Sequence, residues 1–177
     1  MDRFLEEVVT KHKRGLDELL YYLSWIVMIF CAILGFAFLQ SLPYSFNVAT
    51  VIITIIPLAI AIYLWIIHDR FRTEYEYTFT NGSLDFAMVF NNKKRKSLGS
   101  LNVAKVDAFG KVSSGSFHRH TSGNNIKHLR WFLNRDSELY YIAFSKDSQK
   151  SVIVFEPSEE MVGYIKHYLP YGAHQEN

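Results

Sequence analysis

From Leu19 to His68 the chain runs about fifty residues without a single Asp, Glu, Lys or Arg. A soluble domain of 177 residues cannot bury an uninterrupted apolar stretch of that length, so the run belongs in a lipid bilayer. Ser41-Leu42-Pro43-Tyr44-Ser45 breaks it near the middle. That break predicts two spans, 19–40 and 47–67, joined by a tight turn. Each span of roughly 20 residues gives about 30 Å of helix, the thickness of the hydrocarbon layer. Tyr21, Tyr22 and Trp25 near one end, with Tyr63 and Trp65 after the return, form the aromatic belt of a membrane interface. Pro57 is tolerated inside such a span, and Thr54 stands near enough to relay a hydrogen bond that the proline frees.

Orientation follows from the flanks. Arg3, Lys11, Lys13 and Arg14 precede the first span, Arg70 and Arg72 follow the second, and the connecting turn carries no basic residue. The positive-inside rule then places both termini in the cytoplasm. A cleaved signal peptide fits poorly, because its apolar core is about 7–15 residues long and ends at small side chains. Neither span holds an ionisable group apart from His68 at the boundary, which argues against ion or proton transport. Cys31 and Gly35 stand one helical turn apart and predict close packing within the hairpin. The lone Cys31 can form no internal disulfide and reads as an apolar filler. Residues 1–18 read as an amphipathic helix, with Phe4, Leu5, Val8, Val9 and Leu16 near helical spacing.

Every formal charge lies outside the apolar run, and the net charge of +2 is too small to imply nucleic-acid binding. From Glu74 the period becomes twofold. Tyr75, Tyr77 and Phe79 alternate with polar residues, Asn81-Gly82 is a strong hairpin signal, and Ser83 to Asn91 returns. Further strands are predicted at 95–101, 103–110, 126–133, 139–144 and 150–155, with a mobile loop over 113–125. Glu156-Pro157-Ser158-Glu159-Glu160 opens a final helix whose apolar face is Met161, Val162, Ile165, Tyr168 and Leu169. About seven antiparallel strands closed by one C-terminal helix over 69–170 is the order of a pleckstrin-homology-like barrel. Another small α+β sandwich has the same composition. Residues 171–177 read as a disordered tail.

Several segments carry a resemblance: Met1-Asp2-Arg3-Phe4, Tyr77-Thr78-Phe79-Thr80-Asn81-Gly82-Ser83-Leu84-Asp85, Phe109-Gly110-Lys111 and Phe155-Glu156-Pro157-Ser158-Glu159-Glu160-Met161. Together they resemble a family of short, uncharacterised two-span membrane proteins of clostridia-type Gram-positive bacteria. The part after the hairpin is similar to bacterial pleckstrin-homology-like domains. The resemblance implies an architecture and a place in the bacterial cell membrane, and it brings no activity with it.

The one dense basic cluster is Lys93-Lys94-Arg95-Lys96, in the turn after the second strand of the predicted domain. That strand runs back towards the hairpin, so the cluster is expected on the membrane-proximal side, where it can meet anionic headgroups or a membrane protein partner. The alternative is a solvated turn whose charges guard against edge pairing. His118, His120 and His128 have no nearby cysteine or clear carboxylate partner and do not make a metal site. Ser113, Ser114 and Ser116 lack a nucleophile elbow, and Gly110-Lys111 lacks the glycine spacing of a phosphate loop. Trp131 and Phe132 read as core. The expectation is a membrane-anchored cytoplasmic binding or scaffold module, not an enzyme, with no catalytic residue, metal or cofactor. The rival expectation is an accessory subunit of a larger membrane complex.

Overall fold

The apolar run forms two helices, α1 (Gly15–Ser41) and α2 (Val48–Ile67), in a computed structural model that describes residues 3–123, 125–146 and 148–175. Both are long and apolar enough to cross a bilayer, and little of either is buried within the protein. Large side chains such as Ile26, Phe30, Ile33 and Ile62 are exposed all along them, as lipid-facing residues are. Asn47 caps α2 by accepting a hydrogen bond from the Thr50 N–H at 2.9 Å. Small and polar residues face the other helix: Ser24, Gly35, Thr54 and Ala61 are buried. Gly35 lies against Leu58, where a Cβ would come within 2.6 Å of the leucine side chain. Thr54 does not relay a bond for Pro57, since its hydroxyl donates to the Thr50 carbonyl at 2.8 Å, one turn earlier. A 3₁₀ turn, His68–Arg72, follows α2. There Arg72 Nε donates to Glu18 at 3.1 Å, and its guanidinium lies 3.8 Å from the centre of the Tyr21 ring. The pair and the ring contact close the open end of the hairpin.

The second unit comprises Met1–His12 and Glu74–Asn177, so the hairpin is inserted into a folded domain. The amphipathic helix expected over residues 1–18 does not form: 1 and 2 lie outside the described residues, and 15–18 open α1. Instead β1 (Phe4–Val9) pairs antiparallel with β2 (Thr73–Thr80), from Phe4 opposite Thr80 to Val9 opposite Tyr75. The same apolar positions satisfy a twofold period. With a partner strand available, Leu5, Glu7 and Val9 point inwards while Phe4, Glu6 and Val8 point out.

Asn81 and Gly82 both take positive φ, 48° and 90°, and turn β2 into β3 (Ser83–Phe90). Next to β3 lies β4 (Lys94–Asn102), giving a sheet of order β1-β2-β3-β4. The strand expected at 103–110 is a 3₁₀ turn, Val103–Lys105, followed by β5 (Ala108–Lys111). In the segment expected as a mobile loop, Gly115–Thr121 is a short helix, α3. Then come β6 (Lys127–Trp131), β7 (Tyr140–Lys146), β8 (Gln149–Phe155), α4 (Glu159–Tyr168) and β9 (His174–Gln175).

The second sheet has the order β6-β8-β7-β5-β9. There are thus nine strands in two sheets among the described residues, not a seven-stranded barrel. The residues expected as a disordered tail include β9, parallel to β5, preceded by the buried Ala173. Only 176 and 177 of that tail lie outside the described residues.

Between the sheets sits an aromatic core. Phe86 packs on Tyr77, Trp131 and Phe155 with ring centres 4.8–5.5 Å apart, the offset and edge-on geometry that aromatic quadrupoles favour. Met161, Val162 and Ile165 of α4 add their apolar face to that core. Ser158 starts the helix by accepting from the Met161 N–H at 3.2 Å.

Candidate functional site

The basic cluster spans the β3–β4 connection. Asn91 and Asn92, with φ of 50° and 53°, make the tip. Asparagine tolerates this left-handed conformation better than most residues, so the tip needs no glycine. Lys94, Arg95 and Lys96 begin β4 opposite Phe90, Val89 and Met88. The four side chains do not act as one patch. Strand alternation sends Arg95 to the face opposite Lys94 and Lys96, and there it pairs with Glu76 of β2 at 2.8 Å. Arg95 is largely exposed in this pair, whereas the Glu76 carboxylate is mostly buried. Lys93, Lys94 and Lys96 remain exposed.

The other candidates disperse. His118 and His120 lie on α3, against Phe117 and Tyr141 respectively, while His128 is on β6. Ser116 is fully buried, accepting from the Tyr141 hydroxyl at 2.9 Å and lying 2.7 Å from the Ser114 hydroxyl. These serines hold α3 on the second sheet. Trp131 joins the main core, and Phe132 packs on a smaller cluster around Tyr141.

A second group of residues, which the sequence does not announce, gathers where β1 leaves the domain. Glu7 on the inner face of β1 accepts from the Ser158 N–H at 3.1 Å. Asn134, buried in the loop after β6, accepts from the His12 N–H at 2.8 Å. It also donates to the Thr10 carbonyl at 2.9 Å and to Glu156 at 3.0 Å. Glu7, Thr10, His12, Glu156 and Ser158 border an open acidic hollow of about 550 Å³ that Glu138 and Glu159 also line. The one sequence signal for it was the β-branched run Val8-Val9-Thr10, which favours a strand over a helix.

Burial raises the Glu7 carboxyl above its ordinary value; the Ser158 hydrogen bonds oppose this, and Glu156 and Glu160 add to it. A carboxyl that binds its proton more tightly when folded lends stability in full below pH 4.5, its unperturbed value. That contribution disappears as pH rises through the folded-state pKa. Glu7→Gln keeps an acceptor for Ser158 and removes the charge. Melting curves against pH are therefore expected to show the variant at least as stable as the parent at neutral pH. The gap should close or reverse in acid, and a parent more stable by the same margin at both ends would refute this.

The two-sheet domain closed by a C-terminal helix agrees with what a family model finds. Residues 1–174 match the family described as Bacterial PH-like domain (DUF6106), and the chain belongs to that family. The match begins at residue 1, so the β1 segment and the hairpin lie inside it as well. No curated protein and no solved structure gives a significant match.

Proposed function

We propose that this PH-like protein is a membrane-anchored binding or scaffold module of the bacterial cell membrane, with both termini and the two-sheet domain in the cytoplasm. The observation that carries this reading is the pairing of β1 with β2 across the inserted hairpin. Strands that belong to one sheet lie on one side of a bilayer, so a hairpin between them enters and leaves on that side. The basic flanks, Lys11, Lys13, Arg14 and Arg70, make that side the cytoplasm. Anchoring at both ends confines the domain to the membrane and raises its effective concentration for anything found there.

Within that reading the basic turn contacts anionic headgroups. It lies at the end of the first sheet where β1 ends and β2 begins, which is where the chain leaves for the apolar helices and returns. Each exposed lysine near an anionic surface contributes about 1 kcal/mol. The test uses the full chain in nanodiscs of phosphatidylcholine, with or without phosphatidylglycerol, and follows hydrogen exchange over residues 90–97. Slower exchange with the anionic lipid is expected. It should be lost at high salt and in a Lys93→Gln, Lys94→Gln, Lys96→Gln variant that leaves the Arg95–Glu76 pair intact. Equal exchange in both lipids overturns the headgroup contact.

A further inference from the structure

A groove of about 350 Å³ opens between the two sheets on the side where β4 and β6 are the free edges. Its volume is at the lower end of small-molecule sites. Its lining is graded from one end to the other. Lys127, Leu129 and Trp131 share one face of β6, Gln149, Ser151 and Ile153 share one face of β8, and Phe144 and Lys146 share one face of β7. The strand pairing sets them in rows: Leu129 beside Ile153, with Trp131 beyond them at the inner end, Lys127 beside Ser151, and Lys146 beside Gln149 at the outer end. Phe86 and Leu98 close the apolar end from the first sheet. Lys127 and Lys146 are two strands and two residues apart, roughly 12 Å between backbones, so their long side chains can converge on one anion. Among the described residues no carboxylate lines the groove. The result is an apolar slot with a cationic mouth.

Two kinds of occupant suit such a slot, an extended peptide adding to a sheet edge or an alkyl chain with an anionic head. The edges disfavour the peptide. Phe86 pairs with Gly99 but Ala87 pairs with Ser97, so Leu98 is an extra residue that bulges β4 and interrupts its ladder. Lys127 and Arg130 place positive charge along the other edge. An alkyl chain needs no backbone ladder, and apolar walls suit it. We propose that the groove binds a single-chain amphiphile bearing one carboxylate, a medium- or long-chain fatty acid, with its chain against Trp131 and its head between Lys127 and Lys146. This site lies apart from the basic turn, and its ligand does not depend on whether that turn touches lipid.

The chain has three tryptophans, Trp25, Trp65 and Trp131. Replacing the two in the helices by Phe leaves Trp131 as the reporter in an otherwise intact protein. In nanodiscs of unbrominated lipid, a medium-chain carboxylate brominated at its terminal carbon is expected to quench Trp131 saturably. Shortening the chain by two methylenes should weaken binding about tenfold, at about 0.8 kcal/mol for each buried methylene. Lys127→Glu with Lys146→Glu, two exposed positions that leave the core untouched, should weaken binding at least tenfold. The brominated alcohol of the same length should bind more weakly than the acid in the parent. Quenching that never saturates, or is unchanged in the charge-reversed variant, overturns the proposal. So does quenching by brominated diacyl phospholipid built into the disc with no acid added, which would make the occupant a bilayer lipid.

Discussion

A fragment beginning at Glu74 is expected not to fold, whereas a chain in which residues 13–73 are replaced by a short Gly/Ser linker is expected to fold as a soluble domain. Both lack the apolar helices and both keep β2 to β9 entire or nearly so. They differ in β1. Without it, β2 becomes an edge strand and loses its partner from Tyr75 to Thr80. Leu5 and Val9 no longer cover the core residues Tyr75, Tyr77 and Phe79, all of them buried. Leu5 and Val9 are partly buried, so each contributes less than the about 1.5–3 kcal/mol of a fully buried side chain, and the lost ladder bonds contribute about 1 kcal/mol each. Against a typical domain stability of about 5–15 kcal/mol, that loss is decisive. The linked chain restores it at little cost, because Val9 and Tyr75 are direct neighbours in an antiparallel pair, about 5 Å apart. A loop of about four residues closes such a hairpin. Solubility on expression and cooperative thermal melting followed by circular dichroism separate the two outcomes. If the Glu74–Asn177 fragment melts at the same temperature as the linked chain, β1 is dispensable and the inserted-hairpin account fails.

The same strand shows where the sequence can be read and where it cannot. The hairpin was legible because lipid imposes one rule on fifty consecutive residues, and no local alternative competes. The β2–β3 turn was legible because Asn81-Gly82 supplies two left-handed residues between alternating runs. Phe4-Leu5-Glu6-Glu7-Val8-Val9 is too short to separate a period of 3.6 from a period of 2, and its partner strand is found only beyond the hairpin. Nothing local could reveal that pairing. Pattern also places Lys127, Leu129 and Trp131 on one face of a strand, but not the fact that this face looks across a gap at Gly99 and Leu98. The basic turn was legible as a cluster. The division of its charges, with Arg95 drawn to Glu76 on one face and the lysines left to the other, depends on sheet register and could be seen only in the fold.

Asn134→Ala is expected to be among the most damaging single substitutions outside the aromatic core, at about 2–4 kcal/mol. In the sequence this residue is an ordinary loop asparagine in Leu133-Asn134-Arg135-Asp136. In the fold it is 5% exposed and ties three distant segments together: Thr10 and His12 where the chain leaves β1, its own loop after β6, and Glu156 at the approach to α4. Its backbone N–H also donates to Glu156, at 3.2 Å. Alanine removes the side-chain partners of a part-buried carbonyl, an N–H and a carboxylate at once, and unsatisfied groups of this kind cost about 1–3 kcal/mol each. Relaxation and water entry recover part of the sum. Asn134→Asp is the sharper comparison. It keeps the acceptor for His12 but loses the donor to Thr10 and Glu156, and it sets a further carboxylate beside Glu156, so it is expected to destabilise at least as much as alanine at neutral pH. Hydrogen exchange distinguishes this local role from general weakening. Residues 8–12 and 156–158 should lose protection before the β7–β8 pair does. Uniform loss across the domain would mean that Asn134 only adds bulk stability and does not fasten the exit of β1.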